Sequence, residues 1–366
     1  MIDRRLLTSF DWMLACLVLA ICLLGILNIY SATTSYKLVG SPYYLKQFYW
    51  MTFGLGIALV LCTVDYHLLE DLSFWLYGFL LLLLIVVLVF GRRSMGATRW
   101  LNLGLFNVQP SELMKIVIII TFARFFNNYH TPGGMTVKDV LLPLGILSIP
   151  ALLIMKQPDL GTATVVILIA VSMMFYVGLR WSTVVTFVLV TIPMIWIGWL
   201  YYLHPYQKNR VLDFLNPDRA RLGSGYHIIQ SKIAVGSGGL TGKGFIQGTQ
   251  SQLRFLPEQH TDFAFSVFAE EWGFMGCLVL IILFLSLILW GLNIARRCND
   301  RFGSLLAMGV TAMLFWHFVI NMGMVIGMFP VVGVPMPFFS YGGTSMITSM
   351  VGIGLLQNIS MRRFMF

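Results

Sequence analysis

Ten apolar segments, each about as long as a membrane-crossing helix, constrain this chain more than any other feature. They lie at residues 12–30, 47–64, 73–90, 111–126, 140–155, 162–178, 181–203, 263–295, 304–327 and 342–360. Backbone groups in lipid must bond within their own segment, so such segments are typical of helices that cross about 30 Å of hydrocarbon. The sequence therefore predicts an all-α polytopic membrane protein with about ten transmembrane helices. Residues 1–366 form one integral membrane domain, with one long extracytoplasmic loop, residues 204–262, between helices 7 and 8.

The composition excludes a soluble globular protein. Of the 366 residues, 58% are hydrophobic and only 11% are charged, and the mean hydropathy is +0.82. The N-terminal Asp3-Arg4-Arg5 precedes a full-length apolar segment without a small-residue cleavage site, which predicts a first spanning helix and no cleavable signal peptide.

The distribution of Lys and Arg predicts the orientation. With the N-terminus in the cytoplasm, ten of these residues fall in inner segments and six in the short outer loops. This bias favours a cytoplasmic N-terminus and C-terminus. The net charge of +9 fits contact with anionic lipid headgroups or phosphates. Because the basic residues are split between both sides of the membrane, the pattern argues against nucleic acid as a partner.

The sequence contains none of the common cysteine and histidine signatures. The five cysteines are scattered and predict no disulfide framework or metal cage. The six histidines lack zinc-ligand spacing, and no HExxH, GxSxG or CxxC motif occurs.

The polar segment at residues 256–271, LPEQHTDFAFSVFAEE, turns abruptly into an apolar helix. If that helix begins near Asp262, then Asp262, Ser266 and Glu270 recur at i, i+4 and i+8 and share one face. A charge deep in a membrane costs about 2.5–3.5 kcal/mol, which usually marks a functional site. The alternative is that Asp262 only caps the helix. Capping does not explain Glu258 and His260 at the same entrance, so the cluster favours a site.

Two other outer helix ends also carry a carboxylate. Pro110 and Glu112 are a good helix start signal, and Glu112 and Lys115 are i, i+3 neighbours that can pair. This pair is either a structural bridge or the wall of a polar cavity. Asp159 lies at a second helix mouth, next to a Pro and Gly turn.

Three connecting segments allow more than one interpretation. Residues 91–109 alternate Arg with Trp and Leu, as expected of a piece in the headgroup layer or of a basic loop. Residues 236–244 are glycine-rich but fail the Walker pattern, so they either wrap a phosphate, with Lys232 and Lys243 nearby, or form a flexible surface loop. Residues 329–341 have three prolines and no charge, so we expect them to dip into the membrane or to cover the site while packed on protein. The hydroxylated residues 340–345 that follow suit either close packing or a cavity wall.

The layout of the ionisable residues suits a membrane enzyme better than a transporter. A transporter is expected to show broken helices or charges near the midplane in two matching halves, and no such symmetry is visible. An enzyme that acts on a lipid headgroup needs an apolar groove, cations for phosphate and a carboxylate base at the interface, and the outer helix ends supply these.

The sequence at residues 225–273, GYHIIQSKIAVGSGGLTGKGFIQGTQSQLRFLPEQHTDFAFSVFAEEWG, resembles the signature of the SEDS family (shape, elongation, division and sporulation). The similarity continues in GATRW at 96–100, QPSE at 109–112 with Lys115, QPDLG at 157–161 and PFFSYGG at 337–343. It covers nearly the whole chain. Lys232 and the GTQSQ sequence at 248–252 favour the elongation branch of the family over the division branch.

The resemblance implies a peptidoglycan glycosyltransferase of the bacterial cytoplasmic (inner) membrane that polymerises lipid II on the outer side. It implies a class B penicillin-binding protein, a transpeptidase, as partner, together with other membrane proteins of the elongation complex. The family's essential aspartate corresponds to Asp262. Our hypothesis is that Asp262 acts as general base on the acceptor GlcNAc 4-hydroxyl, which attacks the donor MurNAc anomeric carbon and displaces polyprenyl pyrophosphate with inversion.

The same hypothesis assigns the other polar residues to the substrate. Stabilising the leaving pyrophosphate falls to Arg99, Arg210, Lys232 or a divalent cation, Mg²⁺ or Mn²⁺. The remaining substrate-binding residues are those of the cavity wall and its entrance: Glu112, Lys115, Asp159, Glu258 and His260. Two alternatives remain open, a lipid II flippase and a noncatalytic scaffold of the elongation machinery.

Overall fold

The structure is a computed structural model that describes residues 9–34, 42–94, 97–102, 107–129, 133–202, 205–216, 224–256 and 258–363. Its helices, in chain order, are α1 (Trp12–Thr33), α2 (Tyr43–Thr63), α3 (His67–Phe90), α4 (Pro110–Asn128), α5 (Val137–Lys156), α6 (Leu160–Val177), α7 (Trp181–Ile197), α8 (Pro205–Leu215), α9 (Ser224–Ser237), α10 (Thr249–Gln252), α11 (Ala264–Arg297), α12 (Arg301–Val325) and α13 (Gly343–Arg362). A π-helical turn, Gly198–Tyr202, extends α7. The N-terminal Asp3-Arg4-Arg5 lies outside the described residues.

The ten predicted apolar segments all form helices, and a mostly helical membrane architecture is confirmed, although the structure adds a small sheet that the all-α prediction lacked. Within the described ranges, eight helices are long and apolar enough to cross a membrane: α1, α2, α3, α5, α6, α7, α11 and α12. Helices α4 and α13 have 19 and 20 residues, but they are less apolar. The predicted number of ten spans is therefore approximate.

Burial separates lipid-facing helices from central ones. The span that contains α7 is the most exposed of the eight, while α12 is the most buried. Helix α4 packs against α3, α6 and α12, and α13 packs against α2. Because α4 contacts protein on most sides, its polar residues Glu112 and Lys115 are shielded from lipid.

A small antiparallel sheet joins α3 to α4, where the sequence favoured a headgroup-layer segment or a basic loop. Strands β1 (Arg92–Ser94), β2 (Ala97–Asn102) and β3 (Asn107–Val108) lie in the order β1-β2-β3. The side chains of Arg92 and Arg93 lie outside the described part. Backbone pairing in this sheet holds Arg99 and Trp100 next to the start of α4.

The described part of the long loop at residues 204–262 contains helices α8, α9 and α10, and its glycine-rich part is docked on α11. The N–H groups of Lys243 and Gly244 donate to the carbonyls of Glu270 and Glu271, each at 3.0 Å. A Cβ at Gly242 would lie 2.1 Å from the Glu271 carbonyl oxygen. These N–H groups bond to protein and are not available to wrap a phosphate, which argues against the phosphate-wrapping interpretation of residues 236–244. The docking on α11 likewise argues against a loose surface loop.

The proline-rich segment 329–341 packs on protein, as one of the two expectations held. A Cβ at Gly25 would lie 2.7 Å from the carbonyl oxygen of Phe338, so α1 approaches this segment at backbone contact. Phe338 and Phe339 are buried. A Cβ at Gly161 would lie 2.5 Å from the Val332 carbonyl oxygen, which brings the start of α6 against the same segment. The segment therefore forms one wall of the space between α1, α6 and α12.

Candidate active site

A polar cavity of about 280 Å³ lies where three helix ends meet. Each end contributes a carboxylate: Glu112 from the first turn of α4, Asp159 from the start of α6 and Asp262 from the turn before α11. Arg99 and Arg210 supply positive charge. The other lining residues come mainly from the sheet, from the segment 329–341 and from the start of α13: Trp100, Gln109, Thr162, Thr261, Val332, Gly333, Pro335, Tyr341, Gly342, Thr344 and Ser345.

Asp262 is held by its backbone and faces the cavity with its carboxylate. Asn321 donates to the Asp262 carbonyl at 3.0 Å. Gly333, at φ +71°, leaves room for the carboxylate, since a Cβ there would lie 3.2 Å from Asp262 Oδ2. A larger residue at this position would be strained and would also crowd the aspartate.

The environment of Asp262 favours its protonated form more than water does. Burial, followed by the negative charge of Glu258, raises the pKa of Asp262 to about 6. The cations Arg210 and Arg99 oppose this rise. At pH 7 the ionised form still predominates, and the carboxylate is a stronger base than an ordinary aspartate. These are the properties required of a general base.

Asp159 has the same side chain but a structural environment. Its Oδ2 accepts from the Gln109 amide at 2.8 Å and from the Thr162 hydroxyl at 2.9 Å. Its Oδ1 caps α6 through the Thr162 backbone N–H at 3.3 Å and lies 3.8 Å from Arg99 Nη1. These partners fix the carboxylate in the cavity wall.

Glu112 and Lys115 form the predicted i, i+3 pair, and the pair is buried. Lys115 Nζ lies 2.8 Å from Glu112 Oε1, and both side chains are at most 6% exposed. A histidine missed by sequence reasoning completes the group, because Lys115 Nζ also lies 2.7 Å from His317 Nε2. Glu112 lines the cavity, while Lys115 lies behind it.

The two arginines of the cavity are anchored through backbone carbonyls. Arg210 donates to the Val331 carbonyl at 3.0 Å, and Arg99 donates to that of Pro158. Arg99 also forms a long ion pair with Asp159, with 3.8 Å between Nη1 and Oδ1. Both guanidinium groups line the cavity, and their N–H donors suit an anionic ligand there.

Besides Lys115, three predicted site residues lie outside the cavity wall. Glu258 adopts φ +48° in the turn before α11 and accepts from the Thr261 hydroxyl at 3.3 Å. The His260 ring stacks on Tyr43 with centroids 4.4 Å apart, and burial lowers the pKa of His260, so this ring is neutral at pH 7. Lys232 is exposed and lies against Gly327 at the end of α12. Its role in binding substrate stays a prediction.

The expected single helix face with Asp262, Ser266 and Glu270 does not exist, because α11 begins at Ala264. Glu270 is bound elsewhere, by Lys243 Nζ at 2.7 Å and by the Gln250 backbone N–H at 3.0 Å. Glu270 therefore anchors the 204–262 loop to α11 and does not reach the cavity.

Sequence reasoning also missed several residues that hold the site together. Trp100, Gln109 and Thr162 line the cavity, and His317 and Asn321 support it from α12. A histidine and an asparagine inside an apolar span were a usable signal, since polar groups in membranes are usually functional or paired.

The described residues contain no group of three His, Cys, Asp or Glu side chains placed to hold a metal ion.

Comparison with known proteins gives a consistent match over the whole chain. A profile of the FtsW/RodA/SpoVE family, described as "Cell cycle protein", matches residues 11–364. The peptidoglycan glycosyltransferase MrdB of Escherichia coli K12 is 45% identical over 312 residues, which cover 85% of this chain and 84% of that protein. The peptidoglycan glycosyltransferase RodA of Treponema pallidum is 34% identical and covers 98% of this chain and 99% of its own.

Two solved structures share the fold. A chain of a peptidoglycan synthase complex, studied for its coordination of polymerization and crosslinking, superposes with a TM-score of 0.84 at 32% identity and covers 98% of this chain and 99% of its own. The rod shape determining protein RodA of Thermus thermophilus gives a TM-score of 0.72 at 30% identity, over 97% of this chain and 98% of its own.

Proposed function

The chain belongs to the FtsW/RodA/SpoVE family, and from this premise we propose that it is a peptidoglycan glycosyltransferase that joins lipid II disaccharide units into glycan strands during cell elongation. The family match and the named glycosyltransferase relatives support the activity. The similarity to RodA of Treponema pallidum and to the rod shape determining protein RodA of Thermus thermophilus supports the elongation branch.

The observation that carries the proposal is the position of Asp262, a carboxylate of raised pKa in a polar cavity that also contains two arginines. Asp262 accepts the proton of the acceptor GlcNAc 4-hydroxyl as that oxygen attacks the donor MurNAc anomeric carbon. The bond to polyprenyl pyrophosphate breaks with inversion. A positioned base of this kind contributes about 10²- to 10⁴-fold to the rate.

The leaving pyrophosphate requires positive charge, and Arg99 and Arg210 are the nearest sources in the cavity. Their guanidinium groups suit phosphate oxygens through paired N–H donors. A divalent cation, Mg²⁺ or Mn²⁺, would supply the same positive charge. Glu112 and Asp159 line the sugar-binding wall, while Lys115 holds Glu112 in place.

The protein spans the membrane several times, and we propose that both termini face the cytoplasm and that the cavity faces outward. The excess of Lys and Arg in the inner segments supports this orientation. The similarity to a chain of a peptidoglycan synthase complex supports a class B penicillin-binding protein as partner.

The test is polymerisation of purified lipid II by the reconstituted protein, alone and with its cognate penicillin-binding protein inactivated at the transpeptidase site. We expect polymer from wild type and a loss of at least about 10²-fold for Asp262→Asn. Thermal unfolding serves as the folding control. Asp262→Asn should unfold no earlier than wild type at pH 7.5, because it removes a charge whose burial is unfavourable.

Each other outcome favours either a different catalytic residue or a different function. Polymer from a well-folded Asp262→Asn protein would place the base elsewhere. Transfer of the lipid II headgroup across vesicles without polymer would favour a flippase. Absence of both activities, even with the partner, would favour a noncatalytic scaffold.

A further inference from the structure

Two buried polar side chains of α12 lie directly behind the cavity. His317 and Asn321 are four residues apart, so they share one face of the helix. Both are at most 4% exposed, and both lie in a strongly apolar span. Polar groups in such a span are costly to bury unless their hydrogen bonds are satisfied, so their partners indicate their role.

His317 connects Lys115 to the segment 329–341. Its Nε2 lies 2.7 Å from Lys115 Nζ, and its Nδ1 lies 3.1 Å from the carbonyl oxygen of Pro335. The Lys115 ammonium, paired with Glu112, can only donate, so Nε2 accepts. The ring is then neutral and carries its proton on Nδ1, which donates to the carbonyl. This single tautomer satisfies both contacts.

Asn321 connects Asp262 to the same segment. Its Nδ2 lies 3.0 Å from the Asp262 carbonyl oxygen and 2.7 Å from that of Val334. Only the amide NH₂ has two hydrogens to donate, so both contacts fix the orientation of the side chain. The backbone of the aspartate is therefore held relative to Val334, which is adjacent to the His317 partner Pro335.

We propose that His317 and Asn321 are positioning residues for the glycosyl transfer proposed above, on which this inference rests. Through their shared attachment to residues 334–335 they hold the Glu112–Lys115 pair and Asp262 at a fixed separation across the cavity. Neither side chain lines the cavity. A displacement of about 1 Å in a reacting group can cost about 10²-fold in rate, so loss of these supports should reduce turnover more than binding.

Three substitutions at His317 separate its two contacts. His317→Gln keeps an acceptor near the Nε2 position, toward Lys115, and His317→Asn keeps a donor near the Nδ1 position, toward Pro335. His317→Leu keeps neither. The matched control is Trp316→Phe, which removes a partly buried hydrogen bond to Ser172 Oγ, 2.8 Å long, from another side of the same helix.

We expect His317→Leu to lower kcat for polymerisation by about 30- to 100-fold with KM within about threefold, and Gln or Asn to recover part of that loss. Trp316→Phe should stay within about threefold of wild type in kcat. The proposal is overturned if His317→Leu retains wild-type kcat, or if Trp316→Phe lowers kcat equally at the same thermal stability.

A double-substitution cycle tests the shared attachment. Asn321→Leu should also lower kcat, and the double variant with His317→Leu should lose much less than the product of the two single losses, because both act on one segment. Independent, multiplicative losses would contradict a shared support.

A measurement without turnover separates this inference from the proposed function. The measurement is the NMR spectrum of protein labelled with ¹⁵N-histidine, in which the His317 signal is assigned by its absence in His317→Gln. At pH 7 this signal should show a neutral ring with the proton on Nδ1. The signal should change in Lys115→Met, which removes the Nε2 partner. A proton on Nε2 would refute the positioning geometry even if wild type polymerises lipid II. If the expected signal appears but wild type makes no polymer, it is the proposed function that fails.

Discussion

At the scale of single residues, Asp159 and Asp262 show how the surroundings divide one side-chain type into two roles. Asp159 accepts hydrogen bonds from Gln109 and Thr162 and caps α6. Among the described residues, none donates a hydrogen bond to the Asp262 carboxylate, on whose pKa Glu258 and Arg210 act in opposite directions. One carboxylate is fixed by its hydrogen bonds, and the other faces the cavity.

The raised pKa of Asp262 predicts the pH dependence of polymerisation. A general base acts only when ionised, so kcat/KM should fall about tenfold per pH unit below about pH 6. Glu258→Gln removes an anion that raises this pKa, so the midpoint should move to lower pH. Arg210→Gln removes a cation that lowers the pKa, so the midpoint should move to higher pH. The measurement is the initial polymerisation rate from pH 5 to pH 8.

Lys208→Gln is the control for this profile, because Lys208 lies on the same helix as Arg210 but contacts the Leu200 carbonyl and does not line the cavity. Its midpoint should match that of wild type. Shifts of the Glu258 and Arg210 variants in the same direction would exclude Asp262 as the group that titrates.

At the scale of elements, the docking of residues 238–244 on α11 depends on close backbone contact. Helix α11 breaks at Gly273, which has φ +63°, and the N–H groups of Phe274 and Met275 donate to the carbonyls of Gly239 and Leu240. The loop therefore satisfies backbone groups that the break leaves free. Glu270 adds its pair with Lys243 to the same junction.

Substitution of Gly242 tests this junction. Gly242→Ala places a Cβ 2.1 Å from the Glu271 carbonyl oxygen at φ +81°, so the loop must shift, and we expect a loss of about 1–3 kcal/mol of stability. Gly236→Ala is the control, because nothing lies within 4 Å of a Cβ there and its helix favours alanine. The readout is thermal unfolding in detergent. Equal stability of the two variants would show that the close contact does not stabilise the junction.

At the scale of the whole molecule, the cavity exists only because three helix ends and the segment 329–341 meet on one side of the membrane. The orientation proposed for the chain places that side outward. This orientation can be tested with single cysteines, introduced after the five native cysteines have been replaced. One is placed at Asn209 in α8 and the other at Asn299 between α11 and α12, and both positions are exposed.

A membrane-impermeant maleimide applied to spheroplasts should label Asn209→Cys and spare Asn299→Cys. Both should react after permeabilisation, which controls for accessibility. The reverse pattern would place the cavity on the cytoplasmic side and would exclude synthesis of glycan strands outside the membrane by this site.

The sequence by itself determined what depends on neighbouring residues. Apolar length predicted the helices, Pro110 marked the start of α4, and the spacing of Glu112 and Lys115 predicted their pair. The sequence motifs indicated the family, and they also singled out Asp262. These properties follow from segment length, helical period and local preference, which a short stretch of chain already contains.

Only the tertiary structure decided which helix ends meet and which polar residues share a site. It separated Glu270 from Asp262 and brought His317 within 2.7 Å of Lys115, 202 residues earlier in the chain. The physical reason is that contacts between distant segments arise from how helices pack and where backbone groups find partners. The helical period fixes the face on which a side chain lies, but not the neighbour against which that face packs.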